Sequence, residues 1–141
     1  MRDREVLTAE QVAFYRTQGY ILLEERVPME VVEGLRAEIA RIVEEARGLE
    51  ASNDRIDLED SHRPDDPKVR RIKRPHALSD GVADLMRSEH ILAPVRDLLG
   101  PDVRLHGTKL NMKSAGYGAA VEWHQDFAFY PHTNDDLLAV G

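Results

Sequence analysis

The chain has 141 residues, the size of one domain, and its 42% hydrophobic and 32% charged content describe a folding chain rather than a disordered one. A net charge of -7 excludes the basic footprint of a nucleic-acid surface. The absence of cysteine excludes disulfide and thiolate chemistry.

The N-terminal elements are well marked. No apolar run of a secretory signal follows Met1-Arg2-Asp3-Arg4-Glu5. Thr8 and Gln11 have capping-box spacing, Leu7 and Val12 are placed as a hydrophobic staple, and Gly19 is placed as a left-handed stop, so a helix is expected between them. Residues 20–23 read as a short strand. A second helix starts near Pro28, which suits a first helical position. Its apolar stripe of Val31, Val32, Leu35, Ile39, Ile42, Val43 and Ala46 fits the domain's own core better than a partner helix. Residues 48–67 are polar and rich in Asp, without the ligand spacing or turn glycine of a calcium loop, and read as an exposed loop or lid.

Further on, residues 69–72 read as a strand. Ser79 or Asp80 caps a short helix through Arg87, and residues 88–99 form another helix that contains Pro94 and stops at Gly100-Pro101. The pattern then changes. Residues 103–112 and 119–127 read as two long strands joined around Gly116 and Gly118, and residues 137–140 begin a third. Helices first and strands afterwards indicate an α+β fold. The aliphatic run at 137–140 is too short to span a bilayer, so a cytoplasmic protein with no membrane partner is expected.

The most informative segment is Glu122-Trp123-His124-Gln125-Asp126-Phe127. Residues two apart in a strand share a face, so the His124 imidazole and Asp126 carboxylate are expected to converge, with Gln125 turned away. One imidazole and one carboxylate make two thirds of the facial triad that holds ferrous iron and leaves positions open for co-substrate and oxygen. The spacing alone is weak, since composition predicts about 0.6 His-x-Asp pairs by chance. A strand-end His bonded to a neighbouring Asp is the plain alternative. The other five His show neither helical i, i+4 pairing nor Cys partners, and His132 is not taken as a ligand. By strand parity, Trp123 and Phe127 should face away from the pair into packing.

The surrounding residues resemble the phytanoyl-CoA dioxygenase family of iron(II)- and 2-oxoglutarate-dependent oxygenases. The likeness runs through Leu7-Thr8-Ala9-Glu10-Gln11, Phe14, Gly19-Tyr20-Ile21-Leu22, Val69-Arg70-Arg71-Ile72-Lys73 and Leu98-Leu99-Gly100-Pro101-Asp102-Val103. It is most specific at Trp123-His124-Gln125-Asp126 with Tyr130-Pro131 and Asp136-Leu137. The resemblance implies helices packed on a double-stranded β-helix, or jelly roll, with a helical region at about 8–99 and first barrel strands at about 103–141. It implies His124 and Asp126 as iron ligands. It also implies co-substrate roles for Lys73 and, on the barrel strand, for Lys109 and Asn111, which share a face. A cation suits the dianion 2-oxoglutarate, although the basic run around Lys73 also fits a charged sheet edge.

Family members carry the second iron-binding His and the 2-oxoglutarate Arg several strands downstream of His-x-Asp. The chain is accordingly expected to be the N-terminal part of a longer protein, truncated after the first barrel strands. Two functions follow. The first is an enzyme that hydroxylates an organic small molecule or acyl-CoA, using iron(II), 2-oxoglutarate and oxygen and releasing succinate and carbon dioxide. Asp126 favours hydroxylation, since related iron halogenases lack that carboxylate. The alternative is a non-catalytic binding or structural protein that retains a partial jelly roll. Nothing in the residues speaks to oligomeric state.

Overall fold

The computed structural model describes residues 6–116, 118, 120–130 and 132–141. The first helix, α1 (Ala9–Gln18), begins at Thr8 with both halves of the capping box formed and ends at Gly19, whose φ of 80° needs a residue without Cβ. Leu7 is buried, and its backbone N–H and that of Val6 both donate to Asp97 Oδ2, at 2.8 and 2.7 Å. These bonds hold the start of the chain on the fourth helix. Residues 20–23 form no strand. They pair with none of the strands of the sheet, and Tyr20 and Leu22 are exposed.

The second helix, α2 (Met29–Glu45), follows Pro28, which serves as the cap rather than as the first helical residue. A short 3-10 turn (Ala46–Gly48) ends it. Ile42 and Ala46 are buried, with Ile39 and Val43 packed beside them, so the apolar stripe lies on the protein's own core. Two further helices are α3 (Asp80–Arg87), capped by the Ser79 hydroxyl, and α4 (Glu89–Leu99), which tolerates Pro94.

The sheet has three antiparallel strands in the order β1 (Ile56–Leu58), β2 (Val69–Lys73), β3 (Lys109–Asn111). Residues 48–67 are therefore not all loop, and the region 8–99 is not purely helical. Strand β1 was hidden by its polar flanks, since three residues carry too little alternation to be seen. One row across the sheet is Ile56, Ile72 and Leu110, and it packs with α2. The register slips by one between Asp57 and Leu58. This bulge lets Val69 and Ile72, three apart and both buried, serve one core.

The alternate residues make a polar second face. Asp57, Arg71 and Asn111 form one row, and Lys73 lies opposite Lys109 in the next. β2 is the middle strand, so its basic residues are not a charged edge. Of the strands expected after Leu99, only β3 is present among the described residues. Residues 126–129 wind into a 3-10 turn (Asp126–Phe129) instead of continuing a strand, and residues 137–140 are not in one. Tyr117, Ala119 and Pro131, which fall in the expected strand pair and the motif after it, lie outside the described residues. No helix among the described residues is long and apolar enough to cross a membrane.

Candidate metal centre

His124 and Asp126 come together: His124 Nε2 lies 3.1 Å from Asp126 Oδ1. The other ring nitrogen decides what that contact means. His124 Nδ1 is 2.7 Å from the Glu122 carbonyl oxygen, which can only accept, so Nδ1 carries the proton. A neutral ring would present its Nε2 lone pair to the carboxylate oxygen, and a doubly protonated ring would donate Nε2–H to it. Two acceptors at 3.1 Å are compatible only if a proton or a metal cation lies between them. Locking of Nδ1–H on a backbone carbonyl is how proteins orient a metal-binding imidazole.

The donor set is an imidazole and a carboxylate, which suits ferrous iron. It supplies two ligands, and no group of three or more His, Cys, Asp or Glu that could hold a metal occurs among the described residues. His132 is not drawn in; its ring stands edge-on to His106 at 5.1 Å.

Tyr130 and Lys109 complete the electrostatics. A hydrogen bond from the Tyr130 hydroxyl, opposed by desolvation and helped by the Lys109 charge and the His124 ring, holds the Asp126 carboxyl below its usual range. The same hydrogen bond, with some burial, raises the Tyr130 phenol above its ordinary value. Strand alternation could not have found Tyr130, because it is the 3-10 turn that brings a residue four positions on back over Asp126. The turn also places Phe129 edge-on to the His124 ring at 5.3 Å. Two expectations fail for the same reason. Trp123 and Phe127 are exposed rather than core, because the segment does not continue as a strand with one face on the core.

The three expected co-substrate residues share the polar face of the sheet. The Lys73 ammonium donates to Asp57 Oδ1 and to the Asn53 carbonyl oxygen, each at 2.8 Å. Lys109 stands opposite it on β3, and Asn111 Oδ1 accepts from Arg71 Nε at 3.1 Å. Lys109 also links this face to the His124–Asp126 pair through its effect on Asp126. Asp57 and Arg71 were missed from sequence, although Arg71 has the same strand parity as Lys73.

Comparison with known proteins identifies the family. The family described as Phytanoyl-CoA dioxygenase (PhyH) is matched over residues 15–141. The chain is 38% identical over 133 residues to a probable alpha-ketoglutarate-dependent hypophosphite dioxygenase of Stutzerimonas stutzeri, covering 94% of this chain and 46% of that protein. It is 31% identical over 131 residues to an ectoine dioxygenase of Nocardia farcinica, covering 93% and 42%. The crystal structure of EctD from S. alaskensis with bound Fe superposes with a TM-score of 0.73 at 28% identity, over 92% of this chain and 44% of that one. The chain thus spans less than half the length of these relatives. Matched by the family model over residues 15–141, nearly its whole length, the chain belongs to the phytanoyl-CoA dioxygenase family.

Proposed function

We propose that this chain is the N-terminal part of an iron(II)- and 2-oxoglutarate-dependent dioxygenase built on a jelly roll, in which it supplies two iron ligands and part of the co-substrate site. The observation that carries the reading is the convergence of the pair: His124 Nδ1 lies 2.7 Å from Glu122 O, and His124 Nε2 lies 3.1 Å from Asp126 Oδ1. The names of the relatives support the class, since both name a dioxygenase and one names alpha-ketoglutarate dependence.

Bound iron(II) would supply the oxygen chemistry, with open positions for co-substrate and oxygen. The residues of the chain do the rest. Glu122 O sets the imidazole tautomer, and Tyr130 holds the Asp126 carboxylate ionised and in place. Lys73, Lys109 and Asn111 offer donors to a carboxylate of 2-oxoglutarate. Two lysines directly opposite on paired strands repel, and an anion between them relieves that repulsion. The substrate is a small molecule oxidised with release of succinate and carbon dioxide. Relatives named for hypophosphite and ectoine support a small polar substrate over an acyl-CoA thioester.

The test is release of carbon dioxide from 1-carbon-labelled 2-oxoglutarate by the intact protein, with iron(II) added or chelated. Release that needs iron and disappears in His124→Ala and Asp126→Ala is expected. Release that survives both substitutions would refute the assignment.

A further inference from the structure

Asp57, Arg71 and Asn111 stand in one register row, one residue from each strand of the sheet. Arg71 Nε donates to Asn111 Oδ1 at 3.1 Å, and Arg71 NH1 lies 3.9 Å from Asp57 Oδ2. A guanidinium has donors only, so the amide atom that meets it must be the carbonyl oxygen. The contact therefore sets which way round the Asn111 amide sits, and it leaves both amide N–H donors for another partner. In the adjoining row, Lys73 uses two of its three N–H groups on Asp57 and Asn53. The Asp57 carboxylate and the Asn111 carbonyl, the acceptors of these two rows, are thus engaged within the sheet, and what remains is a set of donors.

We propose that Arg71 is a positioning residue: braced by Asp57, it orients Asn111 so that the amide N–H groups, and not its carbonyl oxygen, meet a carboxylate of the co-substrate. The inference rests on the co-substrate reading given above. With the amide reversed, its oxygen would oppose a carboxylate oxygen, and the donor would be lost as well. The planar fork of Arg spans from β1 to β3 in a way that a single ammonium cannot. None of this needs Arg71 to touch the ligand.

The test is a double-mutant cycle on 2-oxoglutarate binding by the intact iron(II)-loaded protein without oxygen, read by isothermal titration calorimetry. Arg71→Met and Asn111→Ala should each weaken binding about fivefold or more, the effect of losing one oriented hydrogen bond. The double variant should bind no more weakly than Asn111→Ala alone. If Arg71→Met weakens binding as much in the Asn111→Ala background as in the wild type, Arg71 acts through its own charge and the proposal falls. A ligand-free measurement runs beside it. The Arg71 Nε proton should exchange slowly with water by NMR and rapidly in Asn111→Ala, and equal rates would overturn the brace. Lys73→Met and Lys109→Met separate the two failures. If these weaken binding while Arg71→Met and Asn111→Ala do not, the positioning role is wrong and the co-substrate site stands. If none of the four changes binding, or no binding is seen, the co-substrate reading fails and takes this proposal with it.

Discussion

The sharpest stability prediction concerns Glu38, which ties α2 to α3. The buried Ser79 caps α3 by accepting from Val82 N at 3.0 Å and donates its own hydroxyl proton to Glu38 Oε2. Gly81 N donates to the same oxygen at 3.3 Å. Glu38→Ala removes a charged acceptor from a buried hydroxyl and a carboxylate from the first turn of a helix. Taking the low end for a half-exposed acceptor, about 1.5 kcal/mol, and about 0.5 kcal/mol for the helix terminus, the loss is about 2 kcal/mol. In a chain of this size that lowers Tm by roughly 6–10 °C. Glu38→Gln keeps an acceptor of the same shape and should lose less than half as much. Glu33→Ala, which breaks only an exposed pair with Arg36, should cost about 0–0.5 kcal/mol.

Gly81 supplies a second arm. A Cβ there would stand 2.5 Å from Glu38 Oε1 and 3.2 Å from Leu35 Cδ2. The carboxylate can turn away only by releasing Ser79 and the Gly81 N–H. Gly81→Ala should therefore lower Tm in the wild type, despite the roughly 1 kcal/mol that Ala gains over Gly in a helix. In the Glu38→Ala background it should no longer do so. Thermal unfolding by circular dichroism measures all of these. If Glu38→Ala resembles Glu33→Ala, or Gly81→Ala costs the same in both backgrounds, the brace does not exist.

Three further predictions concern the site and the loop. In the intact protein, His124→Ala or Asp126→Ala should weaken iron(II) binding at least tenfold in anaerobic titration, while Gln125→Ala should leave it within about twofold; equal losses at all three would mean a general collapse of the segment. Because the folded Asp126 carboxyl is held below its usual range, its contribution to stability is complete above the unfolded carboxylate value and is lost as the pH falls through the lower folded one. Tyr130 runs the other way, contributing below the ordinary phenol range and losing it as the pH rises through its raised value. Tyr130→Phe should move the Asp126 midpoint up in a carbon-13 NMR titration, and an unmoved midpoint would exclude that hydrogen bond. His62 Nδ1 accepts from Lys68 N at 3.0 Å while Nε2–H donates to Leu49 O at 2.9 Å, so the ring closes residues 49–68 into a loop. His62→Ala should cost about 1–2 kcal/mol and speed hydrogen exchange at the Lys68 amide, and unchanged exchange would show the ring to be a bystander.

Local signals were legible where the physics is local. Thr8, Gln11 and Gly19 bound α1 because their bonds close within one turn, and the stripe on α2 declares its buried face through a 3.6-residue period. The pairing of His124 with Asp126 was also readable, because two residues so close in sequence meet in many backbone conformations. The conformation itself was not. Trp123 and Phe127 were expected in a core on strand parity, yet the segment turns at Asp126 and exposes both. Strand β1 exists because β2 offers it hydrogen bonds, and the bulge beside Leu58 was needed to bring Val69 and Ile72 to one side. The row Asp57, Arg71, Asn111 joins residues as far as 54 positions apart, and only the register of three strands puts them together. Composition, caps and periodicity are properties of neighbours along the chain. Which strand pairs with which, and which charges then share a face, depends on long-range contacts that no local pattern encodes.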